Sequence, residues 1–126
     1  MDLPKNRFKA ALKKGQHQTG FWNTIAGPIV PEALAAAGFD WIVVDTEHTT
    51  TEAFQVHHSL QAIAAYPNVS AVVRPVANDP AYIKRYLDMG AQTLMIPYVQ
   101  SADEARAAVT AMRYPPHGIR GMAGGT

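Results

Sequence analysis

The run Phe39-Asp40-Trp41-Ile42-Val43-Val44-Asp45 constrains the fold of this chain more than any other segment. It is almost continuously apolar and rich in β-branched side chains, the composition of a strand buried on both faces. Such a strand needs cover on each side, and in a parallel α/β architecture helices supply it. The flanking sequence contains suitable helices. Pro28 to Ala37 reads as a helix closed by Gly38, a residue suited to a left-handed position just past a helix end, and Thr51 to Ala65 reads as another.

The same alternation continues along the chain. A short helix is expected at about residues 6–14, with Phe8, Ala11 and Leu12 on one face and Gly15 as its stop, followed by a first strand within Thr19 to Asn23. Val69 to Val76 reads as a third strand, and Asp79 to Met89 as a helix with Pro80 at its first position and Gly90 beyond its end. Thr93 to Ile96 is expected to be a fourth strand. Ser101 to Met112 follows as a helix, with Ser101 and Glu104 forming a capping box. Strand–helix units recurring about every 25 residues indicate a parallel sheet. Ala37-Gly38-Phe39-Asp40 and Met89-Gly90-Ala91-Gln92 occupy equivalent helix-to-strand junctions, as in a barrel of repeated units.

The fold expected is therefore α/β, of the (β/α)8 TIM-barrel kind, with about the first four β/α units present. Residues 1–126 would form the N-terminal half of one barrel domain. A closed barrel takes about 200 residues or more, so a chain continuing past Thr126 is expected, with a fifth strand or loop beginning in the segment Gly121 to Thr126. A flavodoxin-like open sheet is the structural alternative.

Composition narrows the function. Net charge is +1 and the basic residues are scattered, apart from a group at Lys5, Arg7, Lys9, Lys13 and Lys14 that reads as the solvated face of a helix. Neither nucleic acid nor an anionic membrane is an expected partner. The absence of cysteine excludes disulfides, thiolate metal sites and cysteine nucleophiles. No apolar run approaches the ~18 residues of a membrane span, and the start lacks the apolar core of a secretion signal. A cytoplasmic location is the expectation. Glycine-rich phosphate loops, H-E-x-x-H and G-x-S-x-G are all missing.

In parallel α/β folds, chemistry sits at the C-terminal ends of the strands. Here those ends carry Trp22-Asn23-Thr24, Asp45-Thr46-Glu47-His48, Arg74-Pro75 and Pro97-Tyr98-Val99-Gln100. His48 is the candidate general base, because imidazole titrates near neutral pH; Asp45 or Glu47 would orient it. Arg74 offers a planar fork to a carboxylate or phosphate, or else a structural ion pair to Asp45 or Glu47. Trp22 and Arg74 are the candidate substrate-binding residues. Asp88 lies near a helix C-terminus, where a negative charge opposes the helix dipole. Arg120 binds an anion or closes a turn, while His17, His57, His58 and His117 read as surface or packing residues.

Taken in order, Ala37-Gly38-Phe39-Asp40-Trp41, Asp45-Thr46-Glu47-His48, Val72-Val73-Arg74-Pro75, Asn78-Asp79-Pro80, Ala102-Asp103-Glu104-Ala105 and Arg113-Tyr114-Pro115-Pro116-His117-Gly118-Ile119-Arg120-Gly121 closely resemble the 4-hydroxy-2-oxoheptanedioate aldolase family, the class II pyruvate aldolases of aromatic-compound and sugar-acid breakdown. The resemblance runs from about Phe8 to Gly121. It implies a (β/α)8 barrel that reversibly cleaves a 4-hydroxy-2-oxo acid to pyruvate and an aldehyde, using Mg²⁺, Mn²⁺ or Co²⁺ to stabilise the pyruvate enolate. It further implies that His48 is the base, that Arg74 steadies charge at the pyruvate oxygens, and that Asp88 raises the basicity of His48. A simple barrel puts the Asp88 helix end at the rim opposite His48, and Asp45 is the nearer carboxylate, so both remain candidates. The family's direct metal ligands would lie beyond Thr126, with Glu47 able to contact metal only through water. A hexamer built as a trimer of dimers is also implied. The alternatives are a citrate-lyase-like C–C lyase acting on acyl thioesters and an inactive half-barrel that only oligomerises.

Overall fold

A computed structural model describes residues 5–124. The chain runs α1 (Arg7–Lys13), β1 (Gly20–Asn23), α2 (Ile29–Ala36), β2 (Trp41–Asp45), α3 (Ala53–Ala64), β3 (Ser70–Arg74), α4 (Pro80–Asp88) and α5 (Ala102–Met112). The strands form one parallel sheet in the order β1-β2-β3. Ile42, Val43 and Val44 of β2 and Val72 and Val73 of β3 are buried. This agrees with the two-sided cover that their composition demands. Ala35 of α2 and Val56, Leu60 and Ile63 of α3 belong to the same core, and Ile83 of α4 packs with Ala108 and Ala111 of α5 in a second cluster.

Local signals account for most helix ends. Asn6 caps α1 by accepting from the Lys9 amide, Asp79 caps α4 by accepting from the Ala81 amide, and Ser101 and Glu104 cap α5 reciprocally. A second capping box, Glu52 with Gln55, opens α3 and sets its start at Ala53 rather than Thr51. Gly38 and Gly90 both take positive φ, +89° and +101°, directly after α2 and α4, which explains the matching junction phrases. Gly20 answers a different need. A Cβ there would lie 2.0 Å from the Trp41 ring, so only glycine lets β1 pair against that indole.

The expected fourth strand is corrected by the structure. Thr93 to Ile96 contributes an isolated parallel bridge, Val73 to Leu94, with Val73 N–H donating to the Thr93 carbonyl and Met95 N–H to the Val73 carbonyl. The ladder is bounded downstream: the next position facing this segment is Pro75, just past the end of β3, which has no N–H to give. The α/β class and the parallel order stand, with three strands in the described sheet. The expectation of a further strand or loop after Gly121 falls partly on Gly125 and Thr126, outside the described residues. Among those described, no helix is long and apolar enough to cross a membrane.

Candidate active site

Register builds the site. β2 and β3 align so that Asp45 lies opposite Arg74, and β1 and β2 align so that Asn23 lies opposite Val44. The ends of three adjacent strands therefore converge, bringing Trp22, Asp45 and Arg74 together although they are far apart in sequence.

Asp45 is 1% exposed, and both its oxygens are engaged. Arg74 donates Nε–H to Oδ1 at 2.8 Å and Nη2–H to Oδ2 at 2.6 Å, a bidentate pair. The Glu47 amide donates to Oδ1 at 2.9 Å and the Trp22 indole N–H to Oδ2 at 3.2 Å. Arg74 extends its other terminal nitrogen to Glu47 Oε2 at 2.8 Å, and its guanidinium lies 4.7 Å from the Trp22 ring centroid. The cation is thus held at its edge by two carboxylates and on one face by an indole. A guanidinium has five N–H donors. Among the described residues three are committed, leaving one on each terminal nitrogen for a ligand oxygen.

Burial alone pushes the Asp45 carboxyl up. The hydrogen bonds from Arg74, the Glu47 amide and the Trp22 indole, with the Arg74 charge, outweigh it and hold the pKa at about 2. Arg74 is raised in turn, chiefly by its Asp45 hydrogen bonds and against the effect of burial. Because the folded value of Asp45 lies below its ordinary 3.8, the pair's contribution is fully present above about pH 4 and is lost as pH falls through about 2. That gap corresponds to roughly 2 kcal/mol. Urea midpoints measured from pH 5 to pH 2 should fall further in the wild type than in Asp45→Asn, and parallel curves would contradict the pairing.

His48 stands outside this knot. Its side chain is 75% exposed, and its Nε2 lies 3.4 Å from Glu47 Oε1. Glu47, rather than Asp45, is the carboxylate beside it, so Glu47 touches both the candidate base and the candidate anion-binding residue. Asp88 ends α4 and pairs with Arg120, Nη2 to Oδ1 at 2.6 Å, while Arg120 also lies 4.7 Å from the Tyr114 ring centroid. Asp88 and Arg120 thus form a separate pair, which the structure does not join to His48. His17, His57, His58 and His117 are exposed.

Two residues that the sequence reading passed over belong to the site's frame. Thr46 donates both N–H (3.0 Å) and Oγ–H (2.6 Å) to the Arg74 carbonyl, and Tyr86 donates its hydroxyl to Thr46 Oγ1 at 3.2 Å. The available signal was Tyr86 itself. It lies three residues after Ile83, on the buried face of α4, and a buried tyrosine hydroxyl needs a partner.

Among the described residues, no three His, Asp or Glu side chains converge as metal ligands. Asp45 and Glu47 each spend oxygens on Arg74. This donor set does not form a first coordination sphere for a divalent ion.

A sequence profile described as HpcH/HpaI aldolase/citrate lyase matches residues 18–126. Over 126 residues the chain is 59% identical to a hydroxypyruvate/pyruvate aldolase of Sagittula stellata, covering 100% of this chain and 49% of that protein. It is 57% identical over 118 residues to a 4-hydroxy-2-oxo-heptane-1,7-dioate aldolase of Salmonella dublin, covering 94% of this chain and 44% of that protein. The fold superposes on the crystal structure of an HpcH/HpaI aldolase/citrate lyase family protein from Burkholderia cenocepacia J2315 with a TM-score of 0.90 and 40% identity, over 95% of this chain and 49% of that one. The chain spans about half the length of the curated relatives it matches. Agreement of this extent, in sequence and in fold, has one meaning: the chain belongs to the HpcH/HpaI aldolase/citrate lyase family.

Proposed function

We propose that this chain is the first half of a (β/α)8 barrel that reversibly cleaves a 4-hydroxy-2-oxo acid, such as 4-hydroxy-2-oxoheptane-1,7-dioate, into pyruvate and an aldehyde by way of a pyruvate enolate. The observation that carries this reading is Arg74. It is a partly buried guanidinium pinned by Asp45, Glu47 and Trp22 at the strand ends, with two N–H donors left over. A cation pre-set in this way is suited to the planar oxygens of a 2-oxo acid and to negative charge developing there.

The residues divide the work. Arg74 binds and orients the oxo-acid oxygens through its free N–H groups, and Trp22 covers one face of the guanidinium so that its edge is what a substrate meets. Asp45 fixes the guanidinium plane through two hydrogen bonds. His48, exposed at the rim beside Glu47, takes and returns the proton at its imidazole nitrogen. Asp88 supports it only if the loop carrying Arg120, or a neighbouring subunit, brings the two together. A divalent ion, when bound, supplies Lewis-acid stabilisation of the enolate; its direct ligands are proposed to lie in the part of the barrel that this chain does not span. The reading carries small-molecule 2-oxo acids and aldehydes as partners, and a cytoplasmic homo-oligomer as the working form.

The experiment completes the chain with the part of the Sagittula stellata relative that it does not match. Pyruvate release from 4-hydroxy-2-oxoheptane-1,7-dioate with Mg²⁺ or Mn²⁺ is then followed through coupled lactate dehydrogenase. Release that disappears on substitution of Arg74 supports the reading. A folded, metal-binding chimera that releases no pyruvate overturns it. The family description also spans citrate lyases, so an acyl thioester is the second substrate to assay; cleavage of the thioester alone would select that chemistry.

A further inference from the structure

Arg74 is gripped at its backbone as well as at its side chain. The carbonyl of Arg74 precedes Pro75, so its peptide bond offers no N–H to the sheet. That carbonyl instead receives two donors from a single residue, the amide and the hydroxyl of Thr46, at 3.0 and 2.6 Å. Thr46 is 4% exposed and Tyr86 is 3% exposed. A threonine hydroxyl has one proton to give and lone pairs to receive. Here the proton goes to Arg74, and a lone pair accepts the Tyr86 hydroxyl at 3.2 Å. The chain of contacts runs from α4, through Tyr86 and Thr46, to the Cα from which the guanidinium hangs. The residues flanking Thr46 hold the other end of the same side chain, Asp45 at Nε and Nη2 and Glu47 at Nη1. Arg74 is therefore held at both ends by three consecutive residues.

We propose that Thr46, with Tyr86 behind it, is a positioning residue for Arg74. By fixing the Arg74 carbonyl, it sets the direction in which the guanidinium presents its two free N–H groups. The inference rests on the proposed role of Arg74 for its catalytic meaning, though not for its geometry. Thr46 touches no substrate. Its effect passes through Arg74, and two substitutions separate that role from simple packing. Thr46→Val keeps the volume and the amide bond but removes the hydroxyl, leaving the Tyr86 donor buried without its acceptor. Thr46→Ser keeps the hydroxyl and loses a methyl group.

The first readout needs no activity. Hydrogen exchange of the Arg74 Nε–H, followed by NMR in the completed barrel, should accelerate about tenfold in Thr46→Val, the scale of one lost buried hydrogen bond. In Thr46→Ser it should stay close to the wild-type rate, with Tyr86→Phe between the two. Equal rates in Thr46→Val and wild type, or equal acceleration in Thr46→Ser, would overturn the proposal. The second readout uses the completed barrel. Thr46→Val should lower kcat for pyruvate proton exchange about tenfold with little change in KM, and it should add nothing in an Arg74→Lys background. Additive losses in the double variant would show that Thr46 acts elsewhere. Wild-type protein that fails to exchange pyruvate protons, with the NMR result intact, would remove the aldolase reading and leave the positioning geometry standing.

Discussion

Replacing His48 with alanine in the completed barrel is expected to lower kcat for aldol cleavage by about 10²-fold or more, the usual scale of a lost general base. Folding should be unaffected. The imidazole is 75% exposed and, among the described residues, its ion-pair contact is Glu47 at 3.4 Å, so removing it opens no cavity and strands no buried charge. Thermal unfolding of His48→Ala should match the wild type while turnover collapses. Near wild-type kcat would take His48 out of the mechanism, and Glu47, which touches Arg74 directly, would replace it as the candidate base.

Asp45→Ala should behave in the opposite way, with its main effect on stability. The carboxylate is 1% exposed and accepts from Arg74 twice, from the Glu47 amide and from the Trp22 indole. Its loss leaves a largely buried guanidinium with Glu47 as its remaining anion and two further donors without an acceptor. Breaking one side of a buried pair costs about 3 kcal/mol or more. The urea midpoint should drop accordingly, and enolisation should fall with it because the guanidinium plane is no longer fixed. A loss within about 0.5 kcal/mol, the range of an ordinary surface substitution, would mean that Asp45 does not anchor Arg74.

These two residues also show what was legible in the sequence. β2 was plain because both of its faces are buried, so every position reports burial and no alternation has to be inferred. The caps at Asn6, Asp79 and Ser101 act over three residues or fewer and can be read locally. Thr93 to Ile96 misled because apolar composition reports burial, whereas the ladder depends on a donor that Pro75 lacks. In the site, strand ends predicted which side chains would gather but not how they would divide. The pairing of Asp45 with Arg74 depends on the β2–β3 register, the stacking of Trp22 on the β1–β2 register, and neither is written in local spacing. The bond from Tyr86 to Thr46 joins residues forty apart and has no local signature at all.

Retention of charge without the planar fork gives the sharpest test of Arg74 as the residue that steadies pyruvate. Pyruvate methyl proton exchange, followed by NMR in deuterated water with Mn²⁺ or Mg²⁺, reports enolisation without any aldehyde. In the completed barrel, Arg74→Lys should exchange far more slowly than wild type although net charge is unchanged, because lysine cannot meet Asp45 bidentately and still direct paired donors at the oxo acid. Equal exchange rates in the two proteins would contradict that role and leave Arg74 as a structural ion pair with Asp45 and Glu47.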